Sequence, residues 1–129
     1  MAIYLKTEEE ISLMRAANRL VGSTLGELAK IIKPGVSTGE LNRVAEEFIR
    51  DHGAEPTFLG FPNPSGPAFP ASICCSVNEC VVHGIPSDDQ ILKDGDIVSV
   101  DCGTLLNGYN GDSAYTFPVG EISDEARQL

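Results

Sequence analysis

Positive charge is scarce in this chain. Nine Lys and Arg stand against 19 Asp and Glu, a net charge of −10 at pH 7. A surface of that sign repels phosphate backbones and anionic headgroups, which argues against a nucleic-acid-binding face and adhesion to acidic membranes. Long apolar runs are also missing, so no segment reads as a bilayer span. Residues Met1–Glu8 lack a basic stretch followed by an apolar one, and do not read as a signal peptide. No EF-hand spacing occurs, which weakens a plain acidic cation-binding protein. The four cysteines, Cys74, Cys75, Cys80 and Cys102, lack the CxxC spacing of a zinc site. Their apolar surroundings predict reduced core thiols and a cytoplasmic location. There is no internal repeat and no low-complexity stretch.

What remains is an ordinary globular composition. With 129 residues, 42% hydrophobic and 22% charged, the chain can form one domain with a modest core. Thr7 and Glu10 form a capping-box pattern. Ile11, Met14, Val21, Leu25, Leu28 and Ile32 then recur at helical spacing, which predicts a helix over 8–33 stopped by Pro34-Gly35. Gly22 and Gly26 lie one turn apart in it and suggest close packing on a sheet. Ser37 and Glu40 repeat the cap, and Leu41, Val44, Ala45, Phe48 and Ile49 stripe a second helix ending near His52-Gly53, with His52 at the C-cap.

Residues 54–72 hold five of the eight prolines and cannot be helical. Phe58, Phe61 and Phe69 in this loop either wall a pocket or anchor the loop to the core. Ile73–Val77 reads as a strand, with Cys80–His83 continuing or following it. Ser123 caps a helix start at 122–129. The chain stops soon afterwards, so a fragment of a longer protein is the expectation.

Two acids carry the chemistry. Asp101 ends the apolar stretch Asp96–Cys102, Asp112 begins Asp112–Phe117, and Asn107-Gly108 between them is a strong hairpin signal. A tip there sets Asp101 opposite Ala114 and Asp112 opposite Gly103. Alternation then puts both acids on one face as diagonal neighbours, with Cβ atoms about 7 Å apart or less. That span suits oxygen ligands around one or two divalent cations. Without a cation, two such carboxylates repel and one takes up a proton. The competing reading makes Asp112 a turn residue after Asn110-Gly111 and Asp101 a strand end; on these residues alone both stand.

Three blocks break that balance. Cys75–Pro86, Leu92–Asp101 and Gly108–Asp112, together with Lys33–Leu41, resemble type I methionine aminopeptidases over essentially the whole chain. The resemblance implies an α+β fold, half of a pita-bread fold, with two amphipathic helices packed on an antiparallel β-sheet. Residues 1–129 would form the N-terminal half of the catalytic domain. It implies a cytoplasmic metalloaminopeptidase that removes N-terminal methionine from nascent polypeptides, possible contact with the ribosome exit region, and two divalent ions per complete site (Co, Mn, Fe, Zn or Mg). Asp101 and Asp112 match two metal ligands. A histidine, two glutamates and the general base belong to the half this chain does not reach. His83 matches a histidine that contacts substrate and steadies the tetrahedral intermediate, a role imidazole can fill by donating to developing charge. Phe61, Phe69 and Cys74 match the methionine pocket, where polarizable groups suit a thioether, and Phe58 is a further position. Two rivals remain: an inactive half-module used for binding, and a prolidase-type enzyme.

Overall fold

A computed structural model describes residues 1–129. The Thr7 hydroxyl accepts the Glu10 N–H (3.1 Å) while the Glu10 carboxylate accepts the Thr7 N–H (3.0 Å), and α1 runs from Glu8 to Ala29. It ends four residues before the sequence reading placed it. Lys30 caps it, and Ile31 and Ile32 both fold back on the Leu28 carbonyl as the chain approaches Pro34, which disfavours helical backbone at the residue before it. The Ser37 hydroxyl caps α2, Thr38–Asp51, by accepting the Glu40 N–H (3.0 Å), and His52 is its C-cap.

Four strands follow: β1 Glu55–Pro56, β2 Ile73–Val77, β3 Ile97–Leu106 and β4 Tyr109–Pro118. All pairings are antiparallel and all involve β3. β4 pairs along its full length; β2 takes Val98–Cys102 and β1 takes Thr104–Leu105 on the other edge. Asn107 (φ 51°) and Gly108 (φ 82°) turn the β3–β4 hairpin with two left-handed residues, which is why Asn-Gly is favoured there. A single turn of helix, α3 Asp124–Gln128, follows the Ser123 cap.

Alternation gives the sheet two unlike faces. Val98, Val100, Cys102 and Thr104 of β3 point into the core with Ile73 and Cys75 of β2, against Val21, Leu25 and Leu28 of α1 and Leu41, Ala45 and Ile49 of α2. Each large buried aliphatic side chain there contributes about 1.5–3 kcal/mol of transfer free energy. The other face carries Ser99, Asp101 and Gly103 of β3 opposite Thr116, Ala114 and Asp112 of β4, and no helix covers it.

The structure corrects two further expectations. Gly22 and Gly26 do not make a close approach, since a Cβ at either would meet nothing within 4 Å. The tight contact lies at Gly111, where a Cβ would come within 2.6 Å of the Ala17 backbone. Cys80–His83 is not strand either. Asn78 turns left-handed (φ 52°), its side chain accepts the Ile97 N–H (3.1 Å) and donates to Asp96 (2.9 Å), and the chain leaves the ladder. Val81 and Val82 are left 84% and 62% exposed.

Candidate active site

Asp101 faces Ala114 and Asp112 faces Gly103, so the two carboxylates share the open face. One step along that face, Ser99 and Thr116 hydroxyls meet at 2.7 Å, which shows how closely side chains approach across this pair of strands. Asp101 is half-buried, and its Oδ1 has no hydrogen-bond partner. Burial first, then hydrogen bonding to and repulsion from Asp112, push its carboxyl up from 3.8 to about 6. His83 and the Cys102 N–H oppose that rise.

Gly103 lies between the two acids for a steric reason. A Cβ at 103 would come within 2.9 Å of the Phe58 ring, so its absence lets that ring lie on the sheet beside the acids. The Thr57 N–H donates to the Gly103 carbonyl (3.1 Å), and the Thr57 hydroxyl donates to Asn110 (3.0 Å), which fixes the start of the proline-rich loop. Farther along, the Phe69 N–H donates to the Phe61 carbonyl (3.0 Å) and the Gly60 N–H to the Phe69 carbonyl (2.9 Å). These bonds pinch the loop shut and bring Phe61 and Phe69 together. Neither they nor Phe58 joins the core cluster, so the loop phenylalanines wall a pocket.

His83 is held from the opposite side. The Cys75 N–H donates to the Gly84 carbonyl (2.9 Å) and the Gly84 N–H donates to the Ser76 hydroxyl (3.1 Å). The approach is so close that a Cβ at 84 would lie 2.0 Å from the Cys75 carbonyl oxygen. His83 itself is left-handed (φ 60°), a conformation that costs a non-glycine residue about 1–3 kcal/mol and persists only where neighbours impose it.

A cleft of about 740 Å³ results. All six residues singled out in the sequence line it: Phe61, Phe69, Cys74, His83, Asp101 and Asp112. Phe58, the further pocket position expected from the sequence, joins them, and so do Thr57, Pro62, Asn63, Pro64 and Ile85, to which the sequence reading gave no role in the site. The crowding of prolines between Phe61 and Phe69 was the available signal. Cys74 is buried, and burial with the nearby Asp101 and Asp112 charges pushes its thiol to about 11, so it serves as a neutral, polarizable wall. Nowhere do three or more His, Cys, Asp or Glu side chains gather in a metal-binding group. The orphaned Oδ1, the paired acids and the absence of any Lys or Arg in the lining fit a divalent cation held by oxygen ligands.

A profile of metallopeptidase family M24 matches residues 12–129. The chain is 54% identical over 127 residues to the methionine aminopeptidase of Clostridium acetobutylicum, covering 98% of this chain and 49% of the relative. Methionine aminopeptidase 1 of Bacillus subtilis gives the same three values. The crystal structure of methionine aminopeptidase from Rickettsia prowazekii superposes with a TM-score of 0.91 at 40% identity, over 99% of this chain and 49% of that one. Xaa-Pro dipeptidase from Bacillus anthracis superposes less closely, with a TM-score of 0.79 at 27% identity over 97% of this chain and 32% of that one.

The chain therefore belongs to metallopeptidase family M24 and has the fold of half a pita-bread domain. It spans about half the length of the curated relatives it matches.

Proposed function

We propose that this chain supplies the substrate pocket and two of the metal ligands of an aminopeptidase that removes N-terminal methionine from nascent polypeptides. The observation that carries the reading is the convergence, in one cleft, of an acid pair with an unpartnered oxygen and an apolar pocket containing sulfur. Asp101 and Asp112 hold divalent metal, two ions in the complete site, with Co, Mn, Fe, Zn and Mg all suited to carboxylate ligands. Such ions supply Lewis-acid polarisation and an activated water at neutral pH. The chain's own residues do the rest. Phe61, Phe69 and Cys74 take the methionine side chain, and Phe58 closes the pocket floor against Gly103. His83, held by its strained backbone at the cleft wall, donates a hydrogen bond to the oxygen on which charge develops. A TM-score of 0.91 to the Rickettsia methionine aminopeptidase against 0.79 to the dipeptidase, at 40% against 27% identity, favours methionine removal over a prolidase-type activity.

The second reading is an inactive half-module used for binding. It draws on the absence of any third metal-binding side chain beside the pair. Joining the chain to the C-terminal half of the Bacillus subtilis relative separates the two. Release of methionine from Met-Ala-Ser, lost in Asp101→Asn and Asp112→Asn and reduced about 10²–10³-fold in kcat by His83→Ala, is the expected result. A folded, peptide-binding chimera without turnover supports the binding module instead. Turnover unaffected by the two aspartate changes removes the metal assignment.

A further inference from the structure

Asp112 sits on an edge strand. β4 has β3 on one side and no strand on the other, so alternate N–H groups point outward without a ladder partner. The Asp112 N–H is one of them, and Asn18 of α1 meets it. Asn18 Oδ1 accepts the Asp112 N–H (3.1 Å), while Asn18 Nδ2 donates to the Met14 carbonyl one turn back (3.0 Å). The second bond fixes which end of the amide faces Asp112. The neighbouring contacts lock the same place. Gly111 lies against the Ala17–Asn18 backbone with no room for a Cβ, and the buried Thr104 hydroxyl donates to the Ala17 carbonyl (2.9 Å). One turn of α1 thus grips both strands at the level of the acid pair.

We infer that Asn18 is a positioning residue for Asp112. It holds the backbone of this acid so that its carboxylate keeps its place beside Asp101 when a cation binds. The inference rests on the reading of Asp112 as a metal ligand. Physically, an edge-strand residue with a free N–H frays toward solvent, and a ligand that must be reordered on binding lowers metal affinity. Arg19, the next residue, is exposed and takes part in none of these contacts.

The test compares Asn18→Leu, which keeps the shape and removes the acceptor, with Asn18→Asp, which keeps the acceptor. Arg19→Ala is the control. Two readouts on the full chain serve: hydrogen exchange of the Asp112 amide without metal, and Mn(II) affinity from paramagnetic broadening of resonances around Asp101 and Asp112. N18L should expose the Asp112 amide and weaken Mn(II) binding about fivefold, the scale of one neutral hydrogen bond. N18D should keep the amide protected, and R19A should change neither. Asn18→Ala replaces N18L if the latter does not fold. The inference is overturned if the acceptor-less variant leaves both readouts within about twofold of the parent chain. Asp112→Asn guards the underlying reading. If D112N binds Mn(II) as well as the parent, the ligand assignment fails; if D112N abolishes binding while N18L changes nothing, only the role of Asn18 fails.

Discussion

Asp101→Asn should stabilise the metal-free protein while removing its response to metal. The Asp101 carboxyl binds its proton more tightly in the fold than in the unfolded chain, with burial and Asp112 lifting it from 3.8 to about 6. Protonation is therefore linked to folding. The stabilisation is complete below about pH 3.8, declines as pH rises, and is lost above about 6. At pH 7.5 the fold carries an ionised, half-buried carboxylate with one oxygen unpartnered. The full shift corresponds to roughly 3 kcal/mol, and solvent access to this half-buried group reduces that to about 1 kcal/mol. Asparagine is neutral at every pH and escapes the penalty. For a chain of this length about 1 kcal/mol is about 3–5 °C in Tm. Thermal melts in EDTA should show D101N above the parent by that amount at pH 7.5, with a smaller gap at pH 4.5. Excess Mn(II) should raise the parent's Tm and leave D101N unmoved. A lower Tm for D101N at pH 7.5 in EDTA, or an equal metal-induced rise in both proteins, would refute the linkage between burial, charge and metal at this site.

Three further outcomes follow from the same coordinates. Gly84→Ala forces a Cβ into the Cys75 carbonyl; the unfolding free energy from urea melts should fall by about 2 kcal/mol or more, and a variant as stable as the parent would contradict the close approach. Mn(II) affinity should level off about one pH unit above 6 and fall as the pH drops through 6, because a proton competes for Asp101; a pH-independent Kd between 5 and 7 would exclude Asp101 as a ligand. Cys80, expected among the core thiols, is instead exposed because the chain leaves the ladder at Asn78, whereas Cys74, Cys75 and Cys102 are buried and pushed to about 11, 12 and 12. A disulfide reagent at pH 7.5 should titrate one thiol quickly and three only after denaturation, and two fast thiols would mean the β2 region is open.

How much could be read in advance depended on whether the signal was local. The hairpin was legible because Asn107-Gly108 is among the few dipeptides that adopt two left-handed residues at low cost, and its position fixed the facing of both acids. The helix starts were legible because Thr7, Ser37 and Ser123 cap them through contacts three residues away. The strand status of Val81-Val82 was misjudged because apolar β-branched residues signal strand wherever they lie, and the left-handed turn at Asn78 overrode them. β1, two residues long, has no periodicity to detect. Asn18 was invisible for a different reason. A polar residue on a helix surface reads as a solvated position, and only the path of β4, far away in sequence, gives it a partner. The left-handed backbone of His83 likewise depends on Gly84 meeting β2.

The hairpin also bears on the order of assembly. Its two strands are joined by the shortest connection in the sheet, whereas β1 and β2 must come to β3 across long loops. Closing a short loop sacrifices little chain entropy, so β3 and β4 should zip before either helix docks. The cradle of acids then exists, in register, within the first part of the chain to fold. Folding rates of Val100→Ala and Leu28→Ala can check the sequence of events, with the former slowing folding more than the latter. On the proposed assignment of the two acids, the hairpin alone sets the ligand pair, before the core closes.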